Sequence, residues 1–148
     1  MKTRKMHLPT GWYPHSETEV VEEIKSFLSD FKGENLISPI GALVPHAGWY
    51  FSGKLACRLI SLLKNENPDI VILFGGHLGI NRPILYEYDQ LDTPLGIISC
   101  DLDFMENMSD FCTKESDMAS DNTVEIQLPF IKYFFPDAKI CAFRSPST

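Results

Sequence analysis

The stretch that decides the fold is residues 39–77, PIGALVPHAGWYFSGKLACRLISLLKNENPDIVILFGGH. Residues 39–44 are a short apolar run, and residues 69–74 are a second run that is apolar on both faces, as a buried parallel strand must be. Between them, apolar side chains recur at helical spacing over residues 52–64. Strand, helix and strand in this order predict a βαβ unit with a right-handed crossover. We therefore predict an α/β fold, a mostly parallel sheet flanked by helices.

Similar patterns continue on both sides of this unit. Further helices are predicted at residues 16–31, 101–113 and 123–135, and further strands at residues 82–88, 97–100 and 138–143. The first of these helices begins with Ser16 and Glu19, the spacing of a capping box. With 148 residues, the chain fits an N-terminal arm (residues 1–15) and a single domain (residues 16–148).

The amino-acid composition limits the kinds of molecule that this chain is expected to bind. The net charge is −7, which argues against nucleic acid or an anionic membrane surface, since both need clustered basic residues. The small basic group Lys2, Arg4 and Lys5 is expected to be a solvated tail. No apolar run approaches a membrane span or a secretory signal, and the four cysteines form no C-x-x-C pair. We expect a cytoplasmic protein with reduced thiols.

Two histidines follow the two strands of the βαβ unit. His46 lies two residues beyond the first strand, and His77 lies three beyond the second. Because parallel strands end at one edge of the sheet, we expect the two imidazoles to meet there, close enough to share a metal ion. The alternative is that both are hydrogen-bonded loop residues. His7 and His15 are expected at the surface.

Several motifs, in this order along the chain, resemble those of the Memo family. They are TGWYP, VPHAGWYFSG, LFGGH, DTPLG and NTVEIQLPF, and the resemblance runs from about residue 11 to residue 143. It implies a fold similar to that of class III extradiol dioxygenases. It also implies that His46 and His77 are metal ligands, with iron preferred to zinc or copper, in dioxygenase-like chemistry on a small substrate. A radical-SAM protein and an AMMECR-type protein are the partners it implies.

The chain departs from the family pattern at three places. Gly75 and Gly76 precede His77 where the family has G-P-S-H, and Asn122 stands where a pocket histidine is expected. The resemblance implies family members of about twice this length, with a cysteine ligand in their second half, and we expect this chain to be either a fragment or a minimal version that is truncated relative to the family. Removing half of an α/β domain exposes strand edges, and we therefore expect a homodimer. Light scattering that detects only a monomer at micromolar concentration would contradict this.

Five further residues are candidates for the same cleft. Glu125 is predicted to orient an imidazole or a substrate and so to act in catalysis, or else to be a helix cap or surface carboxylate. Trp49, Tyr50, Asn122 and Gln127 are predicted to contact substrate; for the two aromatic residues, packing on the sheet is the alternative. Two functions from different classes remain open: a metal-dependent enzyme, and a catalytically inactive Memo-like module that binds a small molecule or peptide. A plain structural fragment is the third interpretation.

Overall fold

The computed structural model describes residues 1–33, 39–64, 67–78, 82–115 and 121–146. Helices and strands are interspersed along the chain, and four strands follow one another between the second and third helices. The strands are β1 (Thr3–Arg4), β2 (Ile70–Leu78), β3 (Ile84–Tyr86), β4 (Gln90–Leu91), β5 (Ile98–Ser99), β6 (Thr113–Glu115) and β7 (Lys139–Pro146); the helices are α1 (Glu17–Leu28), α2 (Lys54–Ser61), α3 (Leu102–Asn107), α4 (Asn122–Glu125) and α5 (Leu128–Phe134).

The larger sheet has the strand order β2-β7-β3-β6. Its β2–β7 and β3–β6 pairs are parallel, and its β3–β7 pair is antiparallel. A smaller sheet, β1-β4-β5, adjoins it where Cys100 pairs with Ile140 of β7. Helices α1, α2 and α5 pack on one another, and α4 packs on β2 and β7. The prediction of a mostly parallel α/β sheet flanked by helices is confirmed.

The first helix forms as its sequence predicts. The Ser16 hydroxyl accepts a hydrogen bond from the Glu19 backbone N–H, which caps α1, and donates one to the Glu19 carboxylate, which links the two residues of the predicted capping box. Val20 and Ile24, one turn apart, are fully buried. The apolar face of α1 therefore belongs to the core.

The second helix begins differently from the prediction. A π-helical turn, Trp49–Gly53, precedes α2. Ser52, at the start of the predicted helix, lies within this turn, and its hydroxyl donates to the Ala47 carbonyl at 3.1 Å. Trp49, the first residue of the turn, is buried.

The predicted first strand, residues 39–44, is wrong. This segment is irregular, and its Ile40 and Leu43 side chains are 100% and 95% exposed. Pro39 and Pro45 have no N–H to donate to a ladder, which weakens a strand of this length. The strand beside β2 is β7, so the predicted βαβ unit does not form as written.

The N-terminal segment also departs from expectation. Arg4, assigned to a solvated tail, is 2% exposed, and β1 pairs in parallel with β4.

The four cysteines are free and buried, and burial raises the pKa of the Cys57, Cys100 and Cys141 thiols to about 12. Within the described ranges, no helix has the length and apolar character needed to cross a bilayer.

Candidate functional site

His46 and His77 lie side by side at one edge of the larger sheet. Their ring centroids are 4.8 Å apart, and the ring planes are inclined by 76°. Both side chains are exposed. The expectation that these two imidazoles meet is therefore confirmed, although His46 arrives from an irregular segment and not from a neighbouring strand.

A β-bulge places His77. Gly75 pairs with Arg144 and Leu78 pairs with Pro146, so three residue steps on β2 face two on β7. Within the bulge, His77 has a φ of 66°, the left-handed region that few residues other than glycine adopt. Bulges of this kind re-aim a side chain beside functional sites. The extra residue turns the imidazole out of the regular alternation of the strand.

Helix α4 is anchored on the same bulge. The Gly76 N–H donates to Thr123 Oγ1 at 3.0 Å, and the Thr123 hydroxyl donates to Asp121 Oδ1. Asp121 also caps α4 by accepting from the Thr123 N–H at 2.6 Å. The three side-chain bonds fix the start of α4 against the strand that carries His77.

Gly75 is required by this close approach. A Cβ on Gly75 would overlap Thr123 Oγ1 and lie 2.9 Å from Val124 Cγ2. We expect Gly75→Ala to lower the free energy of unfolding by about 1–3 kcal/mol, as overpacking does. Urea denaturation followed by circular dichroism measures this.

Gly76→Ala is the matched control for Gly75→Ala. A Cβ there meets no atom within 4 Å, and we expect a change within about 0.5 kcal/mol. Equal effects of the two substitutions would contradict the packing argument.

Asn122 and Gln127 hold the segment that carries His46. Asn122 Nδ2 donates to the His46 carbonyl at 2.9 Å and lies 3.4 Å from His46 Nδ1. Gln127, which is buried, donates from Nε2 to the Pro45 carbonyl at 2.9 Å. Both residues were predicted to contact substrate; in this structure their amide groups position His46.

Glu125 is buried and faces the N-terminal segment. Its Oε2 accepts from Arg4 at 2.6 Å, and its Oε1 accepts from the backbone N–H groups of His7 and Leu8, each at 2.8 Å, and from the Tyr13 hydroxyl at 3.1 Å. Burial, then the Glu125 charge, raises the pKa of Tyr13. Through these bonds the Glu125 carboxylate holds the N-terminal segment against the core. The carboxylate is buried, and it is not bonded to His46 or His77.

The two aromatic candidates have opposite environments. Trp49 is 2% exposed, stacks on Phe130 with a centroid separation of 4.1 Å, and donates from Nε1 to the Ile126 carbonyl. Tyr50 is 87% exposed. Trp49 thus packs in the core, as the alternative prediction has it, whereas Tyr50 is free to contact a ligand.

The site can offer two imidazoles and one amide to a ligand. Among the described residues, no group of three or more histidine, cysteine, aspartate or glutamate side chains is placed to hold a metal ion. Where Asn122 donates to His46 Nδ1, the Nε2 atom of that ring carries the proton and acts as a donor. The geometry thus supports either partial metal ligation or hydrogen bonding to an acceptor on a ligand.

Sequence reasoning missed the polar residues that support the pair. Asp121 carried a usable signal, because aspartate before an apolar helical run is a frequent N-cap. Thr123 lies two positions after this cap, where it donates to the capping carboxylate. The sequence around Arg4 and Tyr13 carries no such signal, because their partner Glu125 lies more than a hundred positions away.

Comparison with known proteins gives one consistent result. The family model for Memo-like proteins matches residues 4–143. A MEMO1 family protein of Aquifex aeolicus (strain VF5) is 30% identical over 139 residues, which cover 90% of this chain and 51% of that protein. The MEMO1 family protein of Methanobrevibacter smithii (strain ATCC 35061 / DSM 861 / OCM 144 / PS) is 32% identical over 158 residues, covering 93% and 55%. The chain thus spans about half the length of the curated relatives it matches.

Proposed function

This chain belongs to the Memo-like protein family, and on that premise we propose that His46 and His77 are two ligands of a divalent metal ion. The observation that carries the proposal is the 4.8 Å separation of their ring centroids. Backbone strain at His77 supports it, because a left-handed φ at a non-glycine residue is retained where the surroundings impose it, often at functional sites.

The separation of the rings matches what a shared metal ion requires. An ion about 2.1 Å from a ligating nitrogen lies about 3.2 Å from that ring's centroid. Two rings at coordination angles between about 90° and 109° then have centroids about 4.5–5.2 Å apart. The observed pair falls inside this interval. This agreement concerns two ligands of the metal ion. Its other coordination positions would be filled by water, a small molecule or groups outside the described residues.

The chain's own residues have defined tasks in this proposal. Neutral His46 and His77 donate nitrogen lone pairs, and Asn122 and Gln127 keep the His46 backbone in place. A bound divalent ion, with iron preferred to zinc or copper, supplies Lewis acidity or O2 chemistry at its open positions. Dioxygenase-like redox chemistry on a small substrate is the finer form of the proposal and rests on the family resemblance.

The test is metal titration of untagged protein by isothermal calorimetry, with Fe²⁺ under anaerobic conditions and with Zn²⁺. We expect one ion per chain and at least about tenfold weaker binding in His46→Ala and in His77→Asn, since each removes one of two ligands. Asparagine is chosen at position 77 because it tolerates a positive φ. His7→Ala, which removes an exposed imidazole elsewhere, is the control. Binding that is as tight in both site variants as in His7→Ala would sink the proposal.

A second candidate is a metal-free binding module in the same cleft. Asn122 favours it, because an amide that donates to His46 Nδ1 leaves Nε2–H to bind a carbonyl or carboxylate of a small molecule or peptide. Nitrogen-15 NMR of the histidine rings distinguishes the two. If one equivalent of Zn²⁺ leaves both ring-nitrogen shifts of His46 unchanged, the module is supported, whereas a Zn²⁺-dependent shift of either ring nitrogen supports the metal site.

A further inference from the structure

A second pocket lies away from the two histidines, between the N-terminal loop and α1. Its volume is about 440 Å³, and its walls are aromatic: Trp12, Tyr13, Trp49 and Tyr50. The Tyr13 and Trp49 rings are 6.1 Å apart, and His15 lies 5.1 Å from Tyr13. Tyr13 and Trp49 are 3% and 2% exposed and form the floor of the pocket, so its accessible aromatic walls are Trp12, which is half-buried, and Tyr50, which is exposed. An accessible ring face presents negative π-density to a cation.

Carboxylates close one side of this pocket. Glu19 and Glu23, four residues apart on α1, both line it, and no lysine or arginine does. Glu19 is already bonded to the Ser16 hydroxyl. Glu23 is half-buried, and within the described chain no hydrogen bond or ion pair is formed by its carboxylate. Burial raises the pKa of Glu23, as it does for a charge without a partner.

A further polar group at the pocket lacks a partner. Nε2 of His15 is shielded from solvent, and no described residue hydrogen-bonds to it. Buried polar atoms nearly always have a partner. A ligand with one hydroxyl or N–H group beside its charge can satisfy this atom.

We propose that this pocket binds a small organic cation of the alkylammonium class, with Glu23 as its counter-charge and the aromatic walls as its cation–π surface. The methyl groups of a quaternary ammonium match the apolar ring faces, and the diffuse charge matches their π-density. The chain's net charge of −7 attracts cations in general. Neither His46 nor His77 lines the pocket, so this site is separate from the proposed metal ligands.

The test uses choline and its neutral isostere 3,3-dimethyl-1-butanol at constant ionic strength. The chain has two tryptophans, Trp12 and Trp49, and both line the pocket, so intrinsic fluorescence reports occupancy. We expect saturable quenching by choline and at least about fivefold weaker binding of the neutral alcohol. Equal binding of the two compounds, or no saturable change with choline, overturns the proposal.

Two substitutions locate the site. Glu23→Gln is expected to weaken choline binding at least fivefold, whereas Glu22→Gln, on the exposed side of the same helix, leaves it unchanged. Tyr50→Ala removes an exposed wall without touching the core and is also expected to weaken binding. Circular dichroism confirms that each variant is folded. If Glu23→Gln and Glu22→Gln behave alike and Tyr50→Ala has no effect, choline does not bind here.

Discussion

Glu125→Gln is expected to lower the free energy of unfolding by about 3–5 kcal/mol, the usual cost of removing one partner of a buried ion pair. Glu125 and Arg4 are each about 1% exposed at the side chain, and 2.6 Å separates their charged atoms. Glutamine keeps the shape of the side chain but removes its charge. The Arg4 guanidinium stays buried and loses the charge of Glu125.

The effect should be largest in the N-terminal segment. Glu125 Oε1 accepts from the backbone N–H groups of His7 and Leu8, and an amide oxygen is a weaker acceptor than a carboxylate. Hydrogen exchange at these two backbone amides is therefore expected to accelerate more than exchange in α5. An equal acceleration of hydrogen exchange throughout the protein would mean that the loss of stability is global and does not arise from the bonds of Glu125 to the N-terminal segment.

A surface glutamate provides the control for Glu125→Gln. Glu106 also lies on a helix and pairs with Lys114 at 2.9 Å, but its side chain is 74% exposed. Glu106→Gln is expected to change stability by at most about 0.5 kcal/mol, because exposed pairs contribute little. Adding Arg4→Met to Glu125→Gln should restore part of the lost stability, since neither charge of this buried pair then remains. Urea denaturation that finds the double variant less stable than Glu125→Gln contradicts the account.

The parts of the fold that the sequence predicted are those set by local pattern. Helix α1 follows from a capping box and an apolar stripe, and β2 and β7 follow from short apolar runs that are bounded by polar residues. The meeting of His46 and His77 was also predicted, although the strand expected before His46 does not form and His77 lies within β2. Local pattern, however, does not say which strand lies beside which.

The predictions that fail concern segments whose structure depends on partners far away in the sequence. Residues 39–44 have the composition of a strand and were expected to lie beside β2. The strand that pairs with β2 is β7, which lies more than sixty positions later in the chain. The N-terminal segment has tail-like composition, yet Glu125 draws Arg4 into the core. In both cases the deciding partner is far away in the chain, and a single sequence carries no signal that links the two.

The motif NTVEIQLPF has a role that its letters do not reveal. Asn122 holds His46, Thr123 holds the bulge before His77, Glu125 holds the N-terminal segment, and Gln127 holds Pro45. These bonds come from residues within six positions, in α4 and just after it, and they reach three separate segments. The motif thus acts as a clamp that builds the candidate site. The assignment of Glu125 to catalysis stays a prediction, as does self-association.

Asn122→His is expected to increase Zn²⁺ affinity by more than about 100-fold, the upper end of what outer-shell partners alone change. The Asn122 amide lies 3.4 Å from His46 Nδ1, so an imidazole at this position reaches the same space as the existing pair. It would supply a third neutral nitrogen ligand to a site whose described residues offer two. Tetrahedral zinc sites in enzymes commonly use three protein ligands and one water.

Competition with a chromophoric zinc chelator measures this gain, and the rise in melting temperature with Zn²⁺ gives an independent readout. Asn122→Ala is the matched control, because it removes the amide and adds no ligand. The gain must also disappear when His77→Asn is combined with Asn122→His, since the third ligand acts only with the other two. If Asn122→His binds Zn²⁺ no more tightly than Asn122→Ala, the nitrogen atoms of His46 and His77 do not converge. The 4.8 Å contact of their rings is then an edge-to-face packing contact, and the cleft is better understood as a hydrogen-bonding surface for a ligand.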